Sequence, residues 1–384
     1  MRVLLDARPL QNTYASRGIG TVVRNLYRRF ASSPGGIDYC FCGQGREAPL
    51  AGVRWQRVLR PQRYDWIWEQ ILWPIDVMRL RASLLVCPVA LGPLRQMAFP
   101  LLPAKKGIAF VYDLNPLRDS ACAHVARTRT YRLQLRALEH AAAIVTISRY
   151  VAADLVDRLG LQASSITCIE CGVDDEIREV LRSAAGSVGP AEPFLLALGE
   201  GDTKNIATVV RVFERASRNG FRGSLKVVGR YEEQTAQVRA LVAQSQVGAR
   251  IAFTGFVATQ QLVELYRTCT VFLFPSRCEG FGLPVIEAQA CGAPVIVSNR
   301  TSLPEAAGPA APVFDPDDVA GMCDAVLRYV NDPGWRSACS AAGRSRAALR
   351  TWDGAARTLE ALFLRLGSLR STPAKRAPSG DKLF

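Results

Sequence analysis

The strongest constraint on this chain is local. An apolar run, Thr270-Val271-Phe272-Leu273-Phe274, enters a glycine-bearing loop, Pro275-Ser276-Arg277-Cys278-Glu279-Gly280-Phe281-Gly282. The loop leads straight into Leu283-Pro284-Val285-Ile286-Glu287. A short continuous apolar run bounded by turn residues reads as a strand buried on both faces, as in parallel sheets. Pro284 suits the first helical position, where its missing N–H costs nothing. Gly292 suits the helix stop, and Ala293-Pro294-Val295-Ile296-Val297 reads as the next strand. The unit is strand, loop, helix, strand, with the loop at the carboxyl end of a strand. Open α/β sheets bind ligands there.

A helix start attracts anions, because its first N–H groups lack partners and the macrodipole favours negative charge. Free N–H groups are expected near Leu283 and Val285, and Gly280 and Gly282 let the backbone approach a ligand closely. Two carboxylates, Glu279 and Glu287, stand eight positions apart. Glu287, about one turn into the helix, can accept hydrogen bonds from a ribose-like diol. Glu279 lies on the far side of the anion site and can accept from a second sugar. A phosphate flanked by two sugars is the outline of a nucleotide sugar. The competing reading makes the glutamates helix-end charges and the glycines a turn.

Strands and helices alternate in both halves, which argues for parallel sheets wrapped by helices. Strands are expected near residues 2–6, 38–42, 84–87, 108–112 and 143–147 in the first half. In the second, they are expected at Phe194-Leu195-Leu196-Ala197-Leu198, at 224–229 and at 250–255, with C-terminal helices over 317–330 and 335–368. The fold class is α/β, with two Rossmann-like parallel-sheet domains facing a cleft. The expected divisions are a first, acceptor-binding domain over 1–182, a linker over 183–193, a donor-binding domain over 194–350, a helix over 351–370 crossing back to the first domain, and a disordered tail over 371–384.

The net charge is +14 and uneven: residues 1–190 hold 25 Lys and Arg against 16 Asp and Glu. A basic first half suits an anionic partner surface. Charge alone would admit nucleic acid, but no aromatic–basic RNA signature or helix-turn-helix pattern accompanies it, so none is expected as a partner. Eleven scattered cysteines, an odd number, and a basic opening strand in place of a signal peptide point to free thiols in the cytoplasm. Cys168-Ile169-Glu170-Cys171 has metal-like spacing, but the only histidines are His124 and His140 and no second cysteine pair completes a zinc site. No uncharged apolar run is long enough to span a bilayer.

The order E-G-F-G-L-P-V-I-E over Glu279–Glu287 closely resembles the E-x7-E signature of the retaining family-4 glycosyltransferases, and Ala288-Gln289-Ala290-Cys291-Gly292-Ala293-Pro294-Val295-Ile296 continues it. Met1–Leu10 and Arg17-Gly18-Ile19-Gly20-Thr21 are similar to the first strand and glycine loop of the mannosyltransferase-like branch. Ala143–Tyr150, Ile169–Asp174, Leu198–Asn205 and Ser302–Gly308 resemble further family segments, in the family's order. The resemblance covers nearly the whole chain. It implies the GT-B fold and transfer of a sugar, with mannose from GDP-mannose favoured. The acceptor implied is a glycan, lipid-linked in polysaccharide or O-antigen assembly, reached at the inner face of an anionic membrane.

It also implies roles for residues. Glu279 would orient the donor sugar, with Asp113 beside it in the cleft and Lys204 neutralising the diphosphate. Glu287, Gly280, Phe281, Gly282, Leu283, Asn205 and Ser276 would bind the donor. Gly18, Ile19, Gly20 and Tyr112 would face the phosphates or the acceptor. Two departures stand out. Tyr112 occupies a position that is histidine in many relatives, and the turn Glu200-Gly201-Asp202-Thr203 lacks the arginine many place there. Arg230 is a candidate substitute. A non-catalytic glycan- or partner-binding relative is therefore the alternative reading. Metal is not expected: Asp315-Pro316-Asp317 has D-x-D spacing but resembles a routine family loop, and a helix start with basic side chains can serve the diphosphate. Tyr64, Trp66, Trp68 and Trp73, beside Arg57, Arg60 and Arg63, read either as a membrane-interface or acceptor-docking helix or as a core-packing one.

Overall fold

Apolar strands that alternate with amphipathic helices assemble into two sheets in the computed structural model. It describes residues 1–15, 18–43, 47–58, 73–88, 91, 106–117, 128–183, 192–309 and 311–371. Tyr64, Trp66, Trp68, most of the linker and residues 372–384 lie outside that range.

The first sheet contains β1 (Arg2–Asp6), β2 (Asp38–Gly43), β3 (Trp55–Arg57), β4 (Leu84–Cys87), β5 (Gly107–Val111), β6 (Ala143–Thr146) and β7 (Ile166–Cys168). The second contains β8 (Phe194–Leu198), β9 (Ser224–Val228), β10 (Ile251–Phe253), β11 (Val271–Phe274), β12 (Val295–Ser298) and β13 (Val313–Phe314). Their orders are β3-β2-β1-β4-β5-β6-β7 and β10-β9-β8-β11-β12-β13. Every neighbouring pair is parallel. Strand order reverses between β1 and β4 and again between β8 and β11, which makes those gaps the places where loops diverge to leave a crevice.

The two sheets share apolar packing. Tyr27, Phe41, Phe110 and Tyr112 of the first half belong to the same buried cluster as Phe281, Leu283, Phe272 and Tyr266 of the second. The C-terminal helix Trp352–Ser371 packs on the helix Gly18–Ser32. Phe363 lies 5.7 Å from Phe30 by ring centroids, and the Tyr39 hydroxyl donates to Glu360 at 3.0 Å. The segment expected as helical over 335–368 holds two helices, Pro333–Leu349 and Trp352–Ser371. The break falls at Arg350 and Thr351, where the Thr351 hydroxyl accepts the Gly354 N–H at 3.1 Å. Such a side-chain acceptor is what starts a new helix.

Polar contacts tie the halves together beside the crevice. Ser148 Oγ accepts from Val151 N–H at 3.2 Å, starting the helix Arg149–Leu159, and donates to the Gly280 carbonyl at 2.8 Å. The Glu305 carboxylate accepts the N–H groups of Arg149 at 3.0 Å and Tyr150 at 3.3 Å at that same helix start. Among the described residues no helix is long and apolar enough to cross a membrane. None of the ten described cysteines is in a disulfide, and Cys40 and Cys42 enter one buried cluster, as their strand alternation requires.

Candidate functional site

The loop after β11 enters the helix Leu283–Cys291, which is buried over most of its surface and stops at Gly292 in the left-handed region. Pro284 takes the second helical position, not the first, and Val285 donates its N–H to the Gly282 carbonyl at 3.0 Å. Proline has no N–H to offer. The helix start therefore presents fewer free donors than the sequence suggests.

The loops after β8 and β11 flank the reversal point of the second sheet, and they meet. Lys204 Nζ donates to Glu279 Oε1 at 2.6 Å and sits 5.3 Å from the centre of the Phe274 ring. Gly199, at φ +116°, allows this: a Cβ there would fall 2.4 Å from Lys204 Cγ, so the lysine stem lies flat on the turn only because that atom is absent. Glu279 is held from behind. Its N–H donates to Thr301 Oγ1 at 3.0 Å, and its carbonyl accepts from Ser302 Oγ at 3.0 Å.

Lys204 and Glu279 open onto a cavity of about 710 Å³ between the two domains. That is within the range of about 300–1,000 Å³ usual for small-molecule sites. Of the residues singled out from the sequence, Gly18, Ile19, Tyr112, Asp113, Lys204, Glu279, Gly280, Phe281, Gly282, Leu283 and Glu287 line it. Gly280 is pressed against the first domain, where a Cβ would fall 2.3 Å from the Tyr112 carbonyl. Phe281 is buried beneath the Arg350 guanidinium, 5.0 Å from the ring centre.

The acids sit in different surroundings. Glu287 is buried, and desolvation followed by the nearby Asp174 charge pushes its pKa up to about 8. Desolvation also raises Asp113. The Asn115 N–H that its Oδ1 accepts at 2.9 Å acts against the rise, and the Glu279 charge adds to it. So Asp113 both caps its own turn and faces the cavity.

Other residues are placed elsewhere. Ser276 is fully buried, its hydroxyl donating to the Thr203 carbonyl at 2.8 Å. Asn205 Nδ2 donates to the carbonyls of Pro275 at 3.2 Å and Pro316 at 2.8 Å. Both side chains stitch the two loops together and so set Lys204 against Glu279, but neither lines the cavity. Gly20 is packed under the turn before it, its N–H donating to the Tyr14 carbonyl at 3.1 Å. Arg230 is half exposed and pairs with Glu200 at 3.5 Å and Glu233 at 3.3 Å, outside the cavity. The Tyr112 hydroxyl is buried, with no hydrogen-bond partner among the described residues, in the core beside Tyr27 and Cys171, so it turns inward although Tyr112 was expected to face the phosphates or the acceptor. Asp317 is held by Arg277 at 2.9 Å and Asp315 by Arg300 at 2.8 Å, which leaves the D-x-D pair engaged at the surface. Among the described residues no group of three or more His, Cys, Asp or Glu is placed to hold a metal ion.

Sequence reasoning missed Tyr14, Thr21, Arg24, Asp174, Glu176 and Thr259, which also line the cavity. Asp174 closes a segment already likened to the family, so a signal existed for it. Arg24, one turn beyond the glycine loop, and Thr259, whose hydroxyl donates to Glu176 Oε1 at 2.8 Å across the cleft, come to the site only through tertiary packing.

Two family models divide the chain between them: Glycosyltransferase Family 4 matches residues 16–177 and Glycosyl transferases group 1 matches residues 186–346. The chain belongs to the family-4 glycosyltransferases. Its sequence falls in the mannosyltransferase-like branch. It is 42% identical over 103 residues to the O-antigen chain mannosyltransferase B of Escherichia coli, covering 27% of each chain. It is 27% identical over 288 residues to the serotype-specific mannosyltransferase WbdA of the same organism, covering 71% of this chain and 35% of that one. The chain thus spans about a quarter to a third of the length of these curated relatives. Sucrose-phosphate synthase from Thermosynechococcus elongatus superposes with a TM-score of 0.69 at 20% identity, covering 96% of this chain and 100% of that one. Anabaena Alr3699/HepE in complex with UDP-glucose does so with 0.68 at 12% identity, covering 95% and 100%. These likenesses establish the GT-B fold.

Proposed function

We propose that the protein transfers a hexose from a nucleotide sugar to a glycan hydroxyl with retention of anomeric configuration. The observation that carries this reading is the Lys204–Glu279 pair at 2.6 Å, set at the reversal point of the second sheet and opening onto the interdomain cavity. GDP-mannose is the favoured donor and a lipid-linked glycan the favoured acceptor. Support comes from the mannosyltransferase names of the relatives and from the UDP-glucose complex of the Anabaena protein. The basic first half suits an acceptor held at an anionic membrane surface.

Chemically, the bond between the anomeric carbon and the β-phosphate oxygen breaks while the acceptor oxygen bonds to the same face. The acceptor proton passes to the departing phosphate oxygen. No enzymic base is required, so catalysis rests on positioning and electrostatics. Lys204 moves from Glu279 toward the diphosphate as charge builds there, and Glu279 takes the sugar hydroxyls. Glu287 accepts from the ribose. The reaction as proposed uses no divalent metal.

The test is transfer and donor hydrolysis with GDP-mannose, UDP-glucose and related donors in EDTA, with the product anomer read by NMR. Glu279→Gln and Lys204→Ala are each expected to lower kcat by about 10²–10³-fold, as loss of one preorganised group does. An inverted product, or variants as active as the native protein, overturns the reading. The inward-turned Tyr112 hydroxyl favours a second reading, a relative that binds nucleotide without turnover. Saturable nucleotide binding with no activity toward any donor would select it.

A further inference from the structure

The cavity as described is short of positive charge. Among the described residues five carboxyl groups line it, Asp113, Asp174, Glu176, Glu279 and Glu287, the last with its pKa pushed up to about 8, against two cations, Lys204 and Arg24. Lys204 is already paired with Glu279. A nucleotide-sugar diphosphate carries two negative charges and gains more as the sugar departs. The turn after β8 carries Glu200 and no arginine, Arg230 is held outside by Glu200 and Glu233, and the helix start at Leu283 has spent the Val285 N–H on Gly282. The second domain by itself cannot balance the leaving group.

Arg24 belongs to the first domain. It is half-buried, and among the described residues it has no carboxylate partner; its one hydrogen bond, at 2.6 Å, goes from NH2 to the Ala15 carbonyl. Arg24 lies six residues beyond Gly18, about 9 Å along the helix at 1.5 Å per residue. Helical side chains lean toward the N-terminus, and the bond to Ala15 shows that this one reaches past the helix start. That end of the helix abuts the donor-binding helix: a Cβ on Gly18 would lie 3.6 Å from Leu283 Cδ1. The guanidinium is therefore delivered to the junction of two helix starts, on the cavity that Lys204 also lines. A partly desolvated guanidinium with most of its N–H fork free suits a phosphate that can accept two parallel bonds.

We propose that Arg24 supplies the second positive charge on the departing diphosphate, from across the domain cleft, in the place of the arginine absent from the turn after β8. This rests on the transferase reading above. Leaving-group stabilisation would then be complete only while the two domains are together, which ties bond cleavage to a closed cleft that excludes water.

The experiment compares the native chain with Arg24→Gln, measuring affinity for GDP, UDP and ADP and for the matching monophosphates, together with steady-state transfer. The expected result is a loss of about tenfold or more in diphosphate affinity with monophosphate affinity near native, and a fall of about 10²-fold in kcat. Added guanidinium ion should restore part of the turnover of Arg24→Gly, which loss of the Ala15 contact alone would not permit. Native diphosphate-to-monophosphate preference and native kcat in Arg24→Gln overturn the assignment of Arg24 and leave the transferase reading standing. A native protein that binds none of these nucleotides overturns both. Should the neutral variant melt early, Arg24→Lys keeps the charge without the fork; it is expected to lose about tenfold in kcat, and a lysine variant with native kcat and native preference again overturns the assignment.

Discussion

Two walls face each other across the cavity and hold their cations differently. The wall formed by the loops after β8 and β11 keeps Lys204 against Glu279 at 2.6 Å, and it is sewn to itself through Ser276, Asn205, Thr301 and Ser302. The wall formed by the helix Gly18–Ser32 offers Arg24, whose partner among the described residues is a backbone carbonyl. The first wall is set before any ligand arrives. The two domains touch where Gly280 meets the Tyr112 carbonyl and Gly18 lies beside Leu283.

The largest effect should come from separating the walls. In Gly280→Ala the new methyl would fall 2.3 Å from the Tyr112 carbonyl, so the loop carrying Glu279 must back away. Overpacking of this kind costs about 1–3 kcal/mol. A displacement of about 1 Å at reacting groups lowers rate by about 10²-fold. Transfer assays and thermal melts on this variant should show both; native transfer would mean that the walls are set independently.

A smaller effect distinguishes the two acids of the motif. Glu287 holds its proton up to about pH 8 in the folded chain, against an ordinary value of 4.5. Between those limits the folded state binds the proton more tightly, so the group's contribution to stability is greatest below about 4.5 and is lost as pH rises through about 8. Accepting from a ribose diol needs the carboxylate, so nucleotide affinity should rise over the same upper range while stability falls. Paired pH series of melting temperature and nucleotide affinity for native and Glu287→Gln test this: the variant should lose both slopes, and unchanged slopes would remove Glu287 as their source.

The smallest effect is expected outside both walls. Arg230→Ala removes two exposed ion pairs, each worth about 0–1 kcal/mol. Donor affinity and kcat should stay near native. A clear loss of donor affinity by calorimetry would bring Arg230 into the site and weaken the case for Arg24.

Much of the fold was legible because long apolar runs and glycine punctuation mark buried parallel strands. What escaped was short or marginal: β3, β7 and β13 span three, three and two residues, and none is fully buried. In the site, Lys204 and Glu279 could be read because each follows its strand in a recognisable turn. Asn205 and Ser276 follow the same strands, yet their side chains brace the loops, and sequence does not say which way a loop side chain points. Arg24 escaped for a further reason. Its neighbours in the cavity come from distant segments, and on its own helix it looks like any solvated arginine.

The Glu305 carboxylate, seated on the Arg149 and Tyr150 amides, has a consequence for resting behaviour. A helix terminus in one half is capped by an acid from the other, so the two halves carry a charged latch beside the cleft. Swinging open would trade these charge-assisted bonds for water at both the amides and the carboxylate. That exchange favours the shut form even when no sugar is bound.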